Sequence, residues 1–481
     1  MGLRLMRELE VFFKPRSVAV IGATPTPGKI GNIVIENLYG EGYDGRIHFV
    51  NPNYDEILGM PCYPKITDCP DGVDLAIVVV PAKIVPDVLE QAGRKKVKGA
   101  VVISAGFSEG DQEGRDRENL ILEISKKHGM RIVGPNSLGV ISPHHKMNAS
   151  FARTSPLKGP IAFFSQSGAF CTAAIEYSVR EMLGFSAFVS SGNKADVGDS
   201  DLVDHFASDK RTTCIAAYME STKDGHALFD SLKRASKKKP IVILKAGRTE
   251  RGAKAAKSHT GALAGSDSAY DGAFKQTGVY RAKTMFELFD AAQALANQPP
   301  MKGEGVAIVT NAGGMGVIAT DFAFDMNLKL AELSDETLQD IGKACPPTWS
   351  WGNPIDIIGD ADTSRYAKVL TAVGRAPEVK AIMVIAARQA ATNLFQIAKW
   401  IAITSKLSGK PTVACFAGIF DQESEQYLDS RGIPVMSVPE RGITALHALS
   451  ERGKWLDKMG IDHPEPKKDG CRSERGKGRT K

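Results

Sequence analysis

Ile161-Ala-Phe-Phe-Ser165-Gln166-Ser167-Gly168-Ala-Phe decides the fold, because Val306-Ala-Ile-Val-Thr-Asn311-Ala312-Gly313-Gly314-Met repeats its pattern far downstream. Each is an apolar strand-like run, a polar turn ending in glycine, and the start of a helical pattern. Three more pairs follow in the same order. Gly192-Asn193-Lys-Ala-Asp196 pairs with Gly352-Asn353-Pro-Ile-Asp356, Thr213-Cys-Ile-Ala-Ala-Tyr-Met with Val379-Lys-Ala-Ile-Met-Val-Ile, and Lys239-Pro-Ile-Val-Ile-Leu-Lys-Ala-Gly247 with Lys410-Pro-Thr-Val-Ala-Cys-Phe-Ala-Gly418. Four matches in one order indicate an internal duplication. Two copies of one α/β domain are therefore expected, over residues 150–298 and 303–455.

Upstream of the copies, short β-branched runs alternate with longer amphipathic stretches: Ser17 to Gly22, Arg46 to Val50, Leu75 to Val80, Gly99 to Ser104 and Arg131 to Val133. That alternation predicts βαβ units on a parallel sheet, forming a first domain over 1–147. The segment Ala296-Asn-Gln-Pro-Pro-Met-Lys-Gly-Glu-Gly305 reads as a linker, and residues 460–481 as a disordered basic tail.

Composition excludes several classes of function. The net charge of the 481 residues is +6, and Ile461 to Lys481 hold seven Lys or Arg against four Asp or Glu, so 7 − 4 = +3 of it lies in the tail. The remainder is nearly balanced, which argues against a nucleic-acid face. No run approaches the roughly 20 apolar residues of a membrane span. The seven cysteines follow no C-x-x-C or zinc spacing, and the start lacks a secretory leader, so reduced thiols in a cytoplasm are expected and no metal site.

The chemistry gathers around one histidine. Gly252-Ala-Lys-Ala-Ala-Lys-Ser-His259-Thr-Gly261-Ala-Leu-Ala-Gly265 is too poor in bulk to pack as a core helix, so His259 reads as a phosphoryl carrier on a moving loop. The second copy has no counterpart: after Ala417-Gly418 comes the acidic Ile-Phe-Asp-Gln-Glu-Ser-Glu. A strand, a Gly turn and a helix N-terminus form an anion cradle, because free N–H groups meet the positive end of the helix dipole. Ser165, Gln166, Ser167 and Gly168 make one such turn, and Asn311, Ala312, Gly313 and Gly314 another. An imidazole that takes a phosphoryl group on one nitrogen needs an acceptor for the proton on the other. Glu220, at the end of the strand-like Ile215-Ala-Ala-Tyr-Met219, is the candidate, since strand carboxyl ends line the ligand crevice of such sheets.

In the first domain, Gly22-Ala-Thr24-Pro-Thr-Pro-Gly28-Lys29 follows a strand and precedes a helix. Its glycines and lysine suit a pyrophosphate, yet its spacing is neither that of a P-loop nor G-x-G-x-x-G. Asn51-Pro52, Val80-Pro81, Ser104-Ala105-Gly106 and Gly134-Pro-Asn136-Ser137 put further small or polar residues at strand carboxyl ends, where a nucleotide-like ligand lies. His144 and His145 read as linker polarity.

Ser258-His259-Thr-Gly261-Ala in its Gly-rich setting, with Gly22-Ala-Thr and Gly134-Pro-Asn-Ser, resembles the α subunit of NDP-forming acyl-CoA synthetases of the ADP-forming acetate or acyl-CoA type, relatives of succinyl-CoA synthetase. The resemblance covers about residues 8 to 455. It implies a Rossmann-like coenzyme A domain followed by two flavodoxin-like domains. Gly22, Thr24, Gly28 and Lys29 would then lie on the coenzyme A phosphates, Asn51, Pro52, Val80, Pro81 and Asn136 along the same edge, and Ser104 to Gly106 (Ser104, Ala105, Gly106) beside the pantetheine arm. The two Gly turns would hold phosphate, His259 would be phosphorylated and Glu220 would support it. Asn136 and Ser137 would stand near the thioester, although succinyl-CoA synthetase usually has Cys at the position of Ser137. The resemblance further implies an ATP-grasp β subunit carrying Mg-ADP or Mg-ATP, an α2β2 assembly, and a small carboxylic acid and its acyl-CoA as reactants. Two other readings are a non-catalytic coenzyme A-binding scaffold and a nicotinamide-dependent oxidoreductase.

Overall fold

The computed structural model describes residues 9–254 and 266–464, so His259 and its neighbours in 255–265, like the tail past 464, lie outside the described residues. The chain divides into two compact units, the first ending at Met285 and the second beginning at Phe286.

The first unit opens with a seven-stranded sheet: β1 (Ser17–Ile21), β2 (Arg46–Val50), β3 (Glu56–Ile57), β4 (Met60–Tyr63), β5 (Leu75–Val78), β6 (Gly99–Val102) and β7 (Arg131–Val133). Their order is β3-β4-β2-β1-β5-β6-β7, all pairs parallel except β3 with β4. Leaving β3 aside, the chain fills the sheet outward in both directions from β1, which is the Rossmann order with its switch point between β1 and β5. β1 and β5 are buried along their whole length, as expected of strands covered on both faces.

The second sheet, also in this unit, contains β8 (Gly139–Ser142), β9 (Met147–Ser150), β10 (Leu157–Ser165), β11 (Gly184–Ser190), β12 (Cys214–Met219), β13 (Ile241–Lys245) and β14 (Tyr280–Ala282) in the order β14-β13-β12-β10-β11-β8-β9. β8 and β9 are antiparallel additions at the edge next to β11, although β8 falls within the 1–147 range expected for the first domain. The two sheets share one apolar core that runs from Val18 and Phe49 to Phe164 and Phe206. Phe13 stacks on His205 at 4.8 Å, and Asp196 accepts from Arg131 Nε (2.9 Å) and the Ile132 N–H (2.8 Å).

The second unit holds β15 (Val306–Thr310), β16 (Ile355–Asp356), β17 (Ala381–Ala386), β18 (Thr412–Phe416) and β19 (Val435–Met436), ordered β16-β15-β17-β18-β19 and wholly parallel. Read from its first strand, this is 2-1-3-4-5, the flavodoxin order, and β11-β10-β12-β13-β14 repeats it in the first unit. The helix Met285–Asn297, expected to close the 150–298 domain, is grouped almost entirely with the second unit.

The duplication can be traced atom by atom. The Ser191 N–H donates to Ser165 O and the Ile357 N–H to Thr310 O, both at 2.8 Å, so Ser190 corresponds to Asp356. Of the four sequence matches, the first coincides in place. The third slips by one residue, because Tyr218 and not Met219 is the counterpart of Ile385. The second does not coincide: Asn193 follows β11, whereas Asn353 precedes β16 and holds β15 through Val306 O (2.7 Å) and the Ile308 N–H (3.0 Å). The fourth coincides and has a physical cause. Lys239 Nζ donates to Phe206 O (2.7 Å) and Asp209 O, capping the helix Asp199–Ser208. Lys410 Nζ donates to Val373 O (3.2 Å) and Ala376 O (2.6 Å), capping the helix Thr363–Arg375. An ammonium on terminal carbonyls satisfies groups that the helix leaves free and complements its dipole.

His144 and His145 are structural. His144 Nε2 bonds to Gly159 O (2.9 Å), while His145 meets the Ser142 hydroxyl (3.1 Å) and Arg211 (2.7 Å). Burial, and after it the Arg211 guanidinium, hold the His145 pKa down at about 4 from an ordinary 6.5. Between those values the unfolded chain binds more protons, so this contribution is present above pH 6.5 and lost as pH falls toward 4. His145→Gln should flatten the loss of stability across that window, measured as urea midpoints against pH; an unchanged slope would remove His145 from the acid response. Lys239→Met should cost about 1–2 kcal/mol of unfolding free energy in the same assay, and a cost near zero would show that the helix end needs no cap.

Candidate active site

All twelve coenzyme A candidates lie at or beside the carboxyl edge of β1, β2, β5, β6 and β7, which are neighbours in one sheet. Gly22 follows β1 with φ +94°, and a Cβ there would sit 2.8 Å from Val79 O. Gly31, in the first turn of the helix Ile30–Gly40, would bring a Cβ to 2.1 Å from Gly22 O. The helix therefore starts directly on the turn, the close approach for which nucleotide-binding turns use glycine. The turn is braced from behind: Asn51 Nδ2 donates to Ala23 O (2.7 Å), and the Thr24 hydroxyl meets Thr26 Oγ1 (3.2 Å) and Tyr54 Oη (3.3 Å). Gly28 and Lys29, at the helix entrance, are left exposed, as is Pro52 beyond β2.

Across the switch point, Ser104 Oγ donates to Val80 O (2.5 Å), tying the two strand ends, while Pro81, Ala105 and Gly106 remain exposed. The Gly106 N–H donates to Glu109 (2.6 Å) and Arg117 to Gly106 O. Burial raises the Glu109 pKa, but Asn193 and the backbone N–H groups on its carboxylate outweigh that, and it ends below the usual range. Asn136 is exposed with φ +57°, and its N–H donates to Ser104 O (2.9 Å). Ser137, by contrast, is buried and engaged in structure: its hydroxyl donates to Ser190 O (2.6 Å) and accepts from the Gly139 N–H (2.9 Å).

The first phosphate turn closes β10. Ser167 caps the helix Gly168–Arg180 by accepting from the Phe170 N–H (3.2 Å), and its own N–H donates to Ser165 Oγ (3.1 Å). A Cβ on Gly168 would meet nothing within 4 Å, so the helix entrance is open. Gln166 spans to the next strand. Its Oε1 accepts from the Glu220 N–H (2.7 Å) and the Ser221 N–H (3.1 Å), and its Nε2 donates to Ser221 O (2.5 Å). Thus the turn and Glu220 are locked together at the β10/β12 switch point. Glu220 is only 4% exposed; Oε1 accepts from Tyr218 Oη (3.3 Å), while Oε2 is buried with no partner among the described residues. A buried carboxylate oxygen without a donor costs about 1–3 kcal/mol, more for a charge, and calls for a hydrogen-bond donor from outside the described residues. Burial, and then the Glu220 charge, push the Tyr218 hydroxyl well above its ordinary pKa, so it stays a donor.

The second turn has the same construction. The Ala312 N–H donates to Thr310 Oγ1 (2.9 Å). Asn311 Oδ1 accepts from the Ala387 N–H (2.8 Å) and Nδ2 donates to Ala387 O (2.9 Å). Ala387 stands where the first copy has Glu220. A carboxylate occurs on the other side instead: Asp356 Oδ2 lies 2.5 Å from where a Cβ of Gly313 would be, so a side chain there would have to displace the carboxylate, while Gly314 is open. The two turns belong to different compact units.

Sequence reasoning missed two buried ammonium groups beside Glu220. Lys194 is 6% exposed and donates to Asp199 Oδ2 and Ser221 O, both at 2.7 Å. Lys245, 1% exposed at the end of β13, donates to Ala246 O and lies 4.6 Å over the Tyr270 ring. Burial lowers its pKa, with Asp267 and Glu220 opposing. The signal for Lys245 was an ammonium closing an otherwise apolar strand, Ile241-Val-Ile-Leu-Lys245.

Comparison with known proteins bears directly on this arrangement. Profiles described as a CoA binding domain, a succinyl-CoA ligase like flavodoxin domain and a ligase-CoA domain match residues 16–143, 158–295 and 306–456. The α subunit of acetate–CoA ligase (ADP-forming) I from Pyrococcus furiosus is 45% identical over 94% of this chain and 99% of its own length. Acetate–CoA ligase (ADP-forming) I from Archaeoglobus fulgidus is 43% identical over 93% of this chain, which spans 64% of that longer protein. Among solved structures, the dinucleotide-forming acetyl-coenzyme A synthetase 1 of Ca. Korarchaeum cryptofilum, in complex with phosphate and ADP, superposes with a TM-score of 0.87 at 38% identity over 94% of this chain and 98% of that one. Its likeness to the Pyrococcus subunit along nearly the whole of both chains, on this Rossmann and doubled flavodoxin framework, places the chain in the family of ADP-forming acetate–CoA ligase α subunits, which are acid-thiol ligases.

Proposed function

We propose that this chain is the half of an ADP-forming acyl-CoA synthetase that handles acyl-CoA and phosphate. It interconverts acyl-CoA, phosphate and ADP with acid, coenzyme A and ATP, together with a β subunit. In this reading residues 1–147 bind coenzyme A, residues 150–298 and 303–455 carry the phosphate turns, and the enzyme works in the cytoplasm. The partner is an ATP-grasp subunit in an α2β2 assembly, and it holds the Mg-nucleotide. One observation carries the reading: a carboxylate with an orphaned oxygen, clamped by Gln166 beside an open helix N-terminus. A coenzyme A scaffold has no use for that acceptor.

The first-sheet edge fits a pyrophosphate at Gly22, Thr24, Gly28 and Lys29, with Asn51 behind the turn. Pro52, Val80, Pro81, Ser104, Ala105, Gly106 and Asn136 would bound the rest of the ligand. At the first turn the Ser167 and Gly168 region offers N–H groups to phosphate, which adds to the acyl carbonyl carbon as the coenzyme A thiolate leaves. The resulting acyl phosphate gives its phosphoryl group to a His259 nitrogen and departs as carboxylate. Glu220 Oε2 accepts the N–H of the other ring nitrogen, which keeps the attacking nitrogen bare and then supports the phosphorylated ring. Asn311, Ala312, Gly313 and Gly314 would serve as a second, carboxylate-shadowed phosphate turn. Helix N-termini suit this chemistry, since phosphoryl transfer depends mainly on positioning and charge stabilisation.

Incubated with acetyl-CoA and labelled phosphate, the chain should acquire an acid-labile, base-stable label that His259→Ala abolishes. Glu220→Gln should slow labelling by about 100-fold. Label that survives in the His259→Ala chain, or unchanged kinetics in Glu220→Gln, would refute the respective roles.

A further inference from the structure

Gly192-Asn193-Lys194 follows β11, and its geometry is costly. A Cβ on Gly192 would lie 2.1 Å from Pro135 O, and Lys194 has φ +55°, an unusual conformation for a side chain-bearing residue that persists only where its surroundings demand it. Its surroundings pull in two directions. Toward the first sheet, the Asn193 N–H donates to Pro135 O (3.0 Å), and its amide nitrogen reaches Glu109 (2.6 Å), Glu118 (3.0 Å) and Ser108 (3.2 Å). Its amide oxygen accepts from Asn136 (3.3 Å). Toward the second sheet, Lys194 Nζ bonds to Asp199 and to Ser221 O, the carbonyl that Gln166 Nε2 also holds. Because Ser221 follows Glu220, the ammonium and the Gln166 amide together fix the carbonyl at the end of the segment that carries Glu220.

We propose that Lys194 is a positioning residue for Glu220, and that the left-handed turn it occupies exists to bring its ammonium to Ser221 O. The inference rests on the role given to Glu220 above. Lys194 touches neither reactant; it acts by denying the Glu220 segment freedom to rotate its orphaned oxygen away from the helix entrance. The Lys194–Asp199 pair is buried on both sides, at 6% and 2% side-chain exposure, so removing the lysine alone strands a carboxylate and endangers folding. Lys194→Met/Asp199→Asn removes both charges at nearly constant volume.

The test is a double-mutant cycle in the complete enzyme, assembled with its β subunit and assayed for ATP formation from acetyl-CoA, phosphate and ADP. In the Glu220 background the paired substitution should lower kcat by about 50-fold, as displacement of a reacting group by a fraction of an ångström does, with KM for acetyl-CoA unchanged within about twofold. In the Glu220→Gln background the same substitution should cost less than about threefold, because the two changes share one effect. Equal losses in both backgrounds, or a change in KM with kcat intact, would overturn the proposal while leaving Glu220 in place. If Glu220→Gln itself has no effect on kcat, both the proposal and the reading beneath it fall.

Discussion

One side-chain amide organises the centre of this molecule. Gln166 reaches from the end of β10 to the end of β12 and makes three bonds to the Glu220–Ser221 segment, closing the gap that opens where a doubly wound sheet reverses its direction of growth. At such a point adjacent strand ends diverge and leave backbone groups without neighbours. The Gln166 amide satisfies two backbone donors and one acceptor together. The same span fixes a carboxylate beside the free N–H groups of the helix Gly168–Arg180, so support and chemistry rest on the same bonds.

The second unit shows which part of that design is architectural. Asn311 makes the equivalent bond to the Ala387 N–H and a second to Ala387 O, where Gln166 reaches one residue further, and Thr310 and Ala312 copy the Ser165 and Ser167 bond. The span therefore survives without the acid, and the acid is an addition to one copy. The two copies also place their carboxylates differently. Glu220 extends β12 on one side of its turn, whereas Asp356, the counterpart of Ser190, stands on the other side of the second turn and crowds Gly313. A duplicated frame thus carries its carboxylates at different places on one topology.

Much of this was legible from the residues. Continuous apolar runs revealed the parallel sheets, since strands covered on both faces cannot alternate. Lys239-Pro and Lys410-Pro matched because each lysine performs the same capping task. Glu220 stood out as the acid at a strand end. What misled was chemistry that does not determine place: the Gly-Asn pairs at 192 and 352 look alike yet sit on opposite sides of their strands, and nothing in the sequence around Lys194 announces Asp199 as its buried partner. Ser137, expected near the thioester, is buried and donates to Ser190 O, a bond its sequence setting does not announce. The β8–β9 extension escaped notice because nothing in Gly139 to Ser150 tells which sheet it will join.

On the reading proposed above, the Glu220 oxygen that has no partner among the described residues and the open start of the helix Gly168–Arg180 form one receptor for a hydrogen-bearing anion or its imidazole carrier. A crystal structure of the chain grown with saturating inorganic phosphate tests it most directly. Phosphate on the free N–H groups at the start of the helix Gly168–Arg180, with Glu220 Oε2 within hydrogen-bond reach of the bound ion or of a histidine ring contacting it, is the expected result. Phosphate absent from that turn, or Glu220 Oε2 paired with another group of the protein, would contradict the account.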